Sequence, residues 1–329
     1  MLEIVPARLE GVARALVVAA AAASVLTARP CAAAPAARAA ATPAAATAPA
    51  PASADTLIAK ILAERVETEA FFKDGDTSPF ATVDRKDLPR EGWLTVGRAA
   101  DNNLVLDDST LAAHELRLEV KDGGFALEKL DPDSKLMLDG NPVTGTLTVP
   151  PRAIALGRYR LRLSYQNAPA VIVFDPQCPR RHVFAGLAYF PVDLRFRFVV
   201  QLDPGARPET VLVESTHGAP RRALRAGRFA FTVGGRKQRL AAYRLLEPGV
   251  DPDGLAIFFR DATTGRESYE GGRYLEVEHL PDGRYVLDFN RAYNPYCAYS
   301  PHFNCPIPPA ENRLAVSIRA GEAWHGHAP

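Results

Sequence analysis

Seven polar side chains late in the sequence have the types and spacing that ligand or acid–base chemistry needs: Asp261, Tyr269, Arg273, Asp288, Asn290, Arg291 and Asn294. If neighbouring strands bring them together, two carboxylates, two guanidiniums and two amides would line one polar pocket. Such a pocket suits a small anionic or hydroxyl-rich ligand, and Asp261 or Asp288 would be the candidate for proton transfer in a hydrolytic reaction. The structural alternative is that Asp and Arg pair to satisfy buried loop backbone while Asn290 and Asn294 serve as turn residues.

Asn290 to Asn312 is a long connection holding Cys297 and Cys305 with seven residues between them, and Pro295 and Pro306 stiffen the backbone beside them. Loops of this length are usually functional or stapled. A disulfide between Cys297 and Cys305 is the leading expectation in an oxidising compartment. The alternatives are free thiols, or a zinc site in which Cys297, His302 and Cys305 join Cys178 or His182. No cofactor or resident metal is assigned. No Gly-x-Ser-x-Gly elbow, phosphate-cradling glycine loop, dinucleotide fingerprint or His-Glu-x-x-His helix occurs. His217, His279, His325 and His327 sit beside turns or in a polar tail and read as solvated side chains.

The elements that must position these residues are mainly strands. From Trp93 onward the pattern is short alternating runs such as Leu116-Arg117-Leu118-Glu119-Val120 and Tyr159-Arg160-Leu161-Arg162-Leu163, broken by Gly, Asp and Pro turns. These predict a small β-sandwich over 90–166. After a break at Asn167-Ala168-Pro169, a larger antiparallel β domain is expected over 167–329. Its strands are read at 171–174, 195–202, 210–214, 229–233, 255–259, 274–278, 284–289 and 314–318, with hairpin turns at Gly234-Gly235 and Pro281-Asp282-Gly283. Upstream, residues 53–89 hold one helix and a lead-in. Ser53 or Asp55 caps the helix, Leu57, Ile58, Ile61, Leu62 and Val66 form its apolar face, and it stops near Phe72. Glu64, Glu67 and Glu69 oppose binding to anionic lipid, so the face is expected to pack on the following domain. The fold class is therefore mainly β with one N-terminal helix.

Residues 1–28 place Arg8 and Arg14 before an apolar run, Ala15 to Ala28, too short to span a bilayer. This predicts a signal peptide, export to the periplasm or medium, and no transmembrane span in the mature chain. Cys31 is not read as a lipid anchor, since Arg29 and Pro30 occupy the sites where lipoprotein processing needs small apolar residues. Residues 29–52 are almost wholly Ala, Pro and Thr and predict a disordered spacer. With 39 Lys and Arg against 38 Asp and Glu, the net charge of +1 excludes nucleic acid as a default partner.

Residues 92–165 resemble a forkhead-associated domain through Leu94-Thr95-Val96-Gly97-Arg98, Asn103-Leu104-Val105-Leu106, Leu138-Asp139-Gly140-Asn141 and Ile154-Ala155-Leu156-Gly157. That family reads phosphothreonine with several charge-assisted donors. Only Arg98 is present here: Leu111 and Ala112 stand where the family has Ser and Arg ahead of His114, and Lys135-Leu136 follows Ser134 in place of Asn-Gly. The resemblance thus implies the sandwich without phosphothreonine binding, with His114 as a structural hydrogen-bonding residue. A scaffolding role for this module would need a large exposed apolar patch.

The C-terminal part is similar to the bacterial and archaeal family called domain of unknown function 1684. The likeness rests on Asp288-Phe289-Asn290-Arg291-Ala292-Tyr293-Asn294-Pro295, Cys297, Cys305-Pro306, Pro308-Pro309 and Asn312-Arg313-Leu314. Further matches are Arg260-Asp261, Thr264-Gly265, Tyr269, Gly272-Arg273-Tyr274, Phe184-Ala185-Gly186-Leu187 and Tyr189-Phe190-Pro191-Val192-Asp193. This resemblance implies an architecture and carries no activity with it. The expectation for function is an exported envelope protein that binds a small polar ligand or a protein, with hydrolysis and scaffolding as alternatives.

Overall fold

A computed structural model describes residues 53–326 apart from Asp122, Asn167 and Ala206. The expected signal peptide, the spacer, Cys31 and His327 lie outside the described residues. No helix among the described residues is long and apolar enough to cross a membrane.

Helix α1 runs Ala54–Asp74. Ser53 caps it, its hydroxyl accepting from Thr56 N at 3.2 Å, and Asp55 and Lys73 sit at the ends where the helix dipole favours them. The buried stripe is not the expected one. Ile61 and Phe72 are buried, Arg65 and Thr68 lie between them half-buried, while Leu62 and Val66 are 48% and 69% exposed. Polar atoms hold this face down. Arg65 donates to Phe190 O at 3.0 Å and Asn290 O at 3.4 Å, and Glu64 pairs with Arg291. The helix therefore packs on the C-terminal part of the chain rather than on the sandwich alone.

The sandwich consists of two sheets around one aliphatic core. The first contains, in order, Leu104–Val105, Leu94–Gly97, Leu116–Lys121, Gly124–Lys129 and Thr146–Val149. The second contains Thr82–Asp87, Ala170–Phe174, Tyr159–Ser164, Arg152–Leu156, Leu136–Leu138 and Asn141–Pro142. Alternation does what the sequence promises: Leu116, Leu118, Leu161 and Leu163 are buried in the shared core, while Arg160 and Arg162 lie on the other face. The strand Ala170–Phe174, expected to open the second domain, instead pairs with Tyr159–Ser164 and Thr82–Asp87. Strand pairing of the sandwich therefore continues past the expected boundary, to Phe174.

Beyond it, a curled antiparallel sheet orders its strands Arg197–Val200, Tyr285–Asp288, Arg273–His279, Leu255–Phe259, Arg236–Leu245, Arg221–Val233 and Leu202–Asp203. Glu209–Val213 also pairs with Arg221–Val233. Both faces of the middle strand are covered, which is why Leu255–Phe259 is apolar throughout. Ile257 and Phe259 join the inner core with Leu275, Leu287 and Phe289, whereas Ala256 and Phe258 join Phe72, Phe174 and Tyr243 in a second core. That second core is common to α1, the sandwich and the curled sheet.

Gly234 and Gly235, with φ of 54° and 77°, make the hairpin turn the sequence requires. Gly227 has a different task. The ladder slips between Arg225 and Gly227, φ there is 155°, and a Cβ would stand 2.4 Å from Asp203 O. The bulge bends the long strand so that its two halves pair with different neighbours. Two strand readings need correction. Arg236–Leu245 is a strand although its charged start and Ala pair break the alternation. Leu314–Ile318 is not a strand: its backbone is taken up by isolated contacts, with Leu314 N bound to Arg260 O at 2.8 Å and Ile318 N bound to the Asp261 carboxylate at 2.6 Å.

Candidate functional site

Between α1 and the outer face of the curled sheet lies a cavity of about 630 Å³. Its floor comes from three adjacent strands, which present Tyr243, Ala256, Glu276 and Glu278. Its roof is α1, which contributes Glu64, Glu67, Thr68 and Phe71. The end wall is the connection Arg291 to Tyr296 together with Glu322.

The end wall is a hydrogen-bonded unit. Asn294 is 1% exposed and Glu322 is 2% exposed. Glu322 Oε2 accepts from Asn294 N at 2.8 Å and from the Tyr299 hydroxyl at 3.0 Å. Asn294 Nδ2 donates to Tyr299 Oη at 3.2 Å and to Ala323 O at 3.1 Å. Its Oδ1 has no hydrogen-bond partner among the described residues. Burial, then the negative charge of Glu322, pushes the Tyr299 phenol well above its ordinary range, so it remains a donor. On the floor, the Tyr243 hydroxyl donates to Glu311 at 2.5 Å, and burial followed by this bond raises its pKa as well. At the roof, Arg291 grips Glu64 through two contacts of 2.9 Å and stands 3.8 Å from Glu278.

Of the seven side chains singled out in the sequence, the cavity takes Arg291 and Asn294. Asp261 and Asp288, the candidates for hydrolysis, do not line it. Asp261 is spent on structure: Oδ1 accepts from Thr263 and Thr264, and Oδ2 from Ile318 N and Arg273. Asp288 Oδ1 accepts from Asn290 N at 3.1 Å and from Nδ2 at 2.9 Å, with Arg197 3.7 Å from Oδ2. Asn290 also exchanges hydrogen bonds with the Asp193 backbone at 2.8 and 3.0 Å, which fixes the preceding loop. Arg273 is buried and holds the carbonyls of Ile318, Ala320 and Glu322. Tyr269 packs edge-on against Trp324 at 5.1 Å. Burial, then the neighbouring Cys297 thiol, raises its pKa.

The expected Cys297–Cys305 disulfide is not formed in this structure, where both are free thiols. Contact with Cys305, then burial, pushes the Cys297 thiol up; burial opposes ionisation of Cys305 most, but its interactions with Cys297 and the charge of Arg221 together leave it lowered. The loop is held without a staple. Cys305 N donates to Thr216 Oγ1 at 3.0 Å, Asn304 Nδ2 to Gln166 Oε1 at 3.0 Å, and the Tyr274 hydroxyl to Pro306 O. Cys178 lies apart, donating to Phe80 O at 3.0 Å. No three His, Cys, Asp or Glu among the described residues converge as metal ligands.

Sequence reasoning missed Glu276, Glu322, Tyr243 and the α1 wall. Tyr293 and Tyr296 flank Asn294 and were within reach of the same reading. Glu322 carries no local signal, because only the fold brings it to a loop 28 residues earlier.

No curated protein matches the chain. It is similar to an uncharacterized protein of Haloarcula marismortui solved by solution NMR, at 38% identity, covering 46% of this chain and 83% of that one with a TM-score of 0.37. A family model described as protein of unknown function (DUF1684) matches residues 182–323, which contain the sheet floor and the end wall of the cavity. Through residues 182–323, the chain belongs to that family.

Proposed function

We propose that this protein binds a small molecule in the cavity beneath α1. One observation carries the reading: a cavity of about 630 Å³ whose lining sets the rings of Phe71, Tyr243, Tyr293 and Tyr296 beside a few polar side chains, Arg291, Asn294 and Glu276 among them. Ligand sites typically have about 300–1,000 Å³ and a few placed polar groups on an aromatic or apolar lining.

A neutral solvatochromic dye such as Nile red is expected to bind saturably with one site per chain. Ala63→Trp, which places an indole on the cavity roof, should weaken that binding at least about ten-fold with little change in Tm. Leu62→Trp, next to it but outside the cavity lining, should not. Equal binding by all three proteins would rule the cavity out as the site.

The first sandwich we read as forkhead-associated-like without a phosphate site. Arg98 Nε donates to Leu111 O at 2.9 Å, and His114 Nδ1 contacts Asn102 Oδ1 at 3.2 Å, so both side chains are engaged within the module. We also propose export through residues 1–28. Fractionated cells are expected to hold the protein outside the cytoplasm with its N-terminus near Arg29, and there the facing Cys297 and Cys305 thiols would be the pair open to oxidation. A cytosolic product retaining Met1 would exclude export.

A further inference from the structure

We propose that the solvent-facing side of α1 is the contact surface for a second copy of this chain, the two helices packing antiparallel across a two-fold axis. The contact is independent of what the cavity binds.

A surface helix ordinarily turns its most apolar side inward. Along its middle, α1 does the opposite. Leu62 and Val66, one turn apart, are exposed, and Ala59 and Ala70 carry the same side towards either end. The steps from Ala59 to Leu62, Val66 and Ala70 are three, four and four residues, the spacing of a seam between two helices. At about 100° per residue, Val66 stands about 140° around the helix from buried Ile61 and about 120° from buried Phe72. A helix laid on Val66 therefore clears the body beneath α1.

Charge selects the occupant. Asp55, Lys60, Glu67 and Lys73 border this side, all four are exposed, and none forms an ion pair among the described residues. Let an antiparallel copy set Val66 of the second copy on Leu62; the two-fold axis then sets Leu62 of the second copy on Val66. The same register brings Asp55 beside Lys73 of the second copy, and Lys60 within one residue of Glu67 of the second copy. The axis repeats both, so every one of these unpaired charges gains an opposite neighbour. Half-buried Glu69 comes beside Ala59 of the second copy and meets no like charge. A parallel copy in register would instead set each charge against its own kind. The face is thus self-complementary, as a contact between identical surfaces requires. Lys60 and Glu67 also line the cavity, which places α1 of the second copy at its edge.

One pair of helices, each 21 residues and about 31 Å long, makes an interface at the small end of specific ones, so the expected Kd is about 10–100 µM. Sedimentation equilibrium of the purified protein from about 1 to about 300 µM should show monomer and dimer in exchange, the dimer weakening as salt is added. Val66→Glu should raise Kd at least about ten-fold with Tm unchanged, because the side chain is exposed in the monomer. Lys60→Glu alone and Glu67→Lys alone should each weaken the dimer, since their cross-pairs become like-charged. An equimolar mixture of these two variants should associate about as tightly as the wild type, because every such pair in the mixed dimer is opposite again. A protein that stays monomeric at about 300 µM, a dimer untouched by Val66→Glu, or a mixture no tighter than its components would overturn the proposal. So would a monomer that binds phosphatidylcholine vesicles and loses them on Val66→Glu, which would give the face to a lipid surface.

Discussion

Replacing Arg273 by Ala is expected to cost about 3–5 kcal/mol and to lower Tm by about 10 °C in a thermal melt. The guanidinium is 1% exposed and serves four acceptors. Nη1 donates to Ala320 O at 2.6 Å and Glu322 O at 3.1 Å, and Nη2 to Ile318 O at 2.7 Å and Asp261 Oδ2 at 3.4 Å. Its carbon stands 5.3 Å from the Phe259 ring and 5.6 Å from the Phe190 ring. Removing it strands the Asp261 carboxylate, which is itself buried, together with three carbonyls. Asp261→Asn, which keeps an acceptor for Ile318 N, should cost less, and the double variant Asp261→Ala with Arg273→Ala should cost well under the sum of its singles. The clamp also has a consequence for the site. It holds residues 318 to 322, and Glu322 delivers its carboxylate to Asn294 N. Dye binding should therefore weaken in Arg273→Ala even at temperatures where the protein stays folded. A loss of under about 1 kcal/mol would show that water or a relaxed tail replaces the guanidinium.

Replacing Phe72 by Ala should be comparably damaging, at about 3–5 kcal/mol in a urea titration. Phe72 is 3% exposed on the last turn of α1, with ring centroids 4.8 Å from Tyr299, 5.9 Å from Tyr296, 6.0 Å from Phe184 and 6.3 Å from Phe80. Most of these contacts are tilted or edge-to-face, the arrangements aromatic quadrupoles favour. The space left behind would adjoin the cavity beneath α1, since Phe72 is part of its lining. Val66→Ala, on the same helix but 69% exposed, should change stability by under about 0.5 kcal/mol. The contrast tests which face of α1 carries the packing. If the two substitutions cost the same, the helix does not dock as the structure has it.

The β character of the chain, the two hairpin turns and the N-cap at Ser53 were all written in local sequence, because each depends on contacts within a few residues. Period-two alternation announces a strand wherever one face is buried, as in Leu116–Lys121. Positive φ at two successive residues demands glycine, as at Gly234-Gly235. What failed locally was governed by distant partners. Leu62 and Val66 have helical spacing with Ile58, yet Arg65 finds the carbonyls of Phe190 and Asn290, and those bonds turn the helix onto its more polar side. Leu314–Ile318 looks like a strand, yet the Asp261 carboxylate takes an amide that a neighbouring strand would have used.

The candidate site divides in the same way. Asn294 and Arg291, singled out by their place in a long polar connection, line the cavity beneath α1. That Asp261 and Asp288 do not was decided by tertiary structure, because a carboxylate's role depends on whether its oxygens reach a cavity or a buried donor, and sequence is silent on which. Glu276, Glu322 and the α1 wall come to Asn294 from strand, tail and helix. Local sequence determines which side chains exist and their spacing; only the folded backbone sets which of them meet around one cavity.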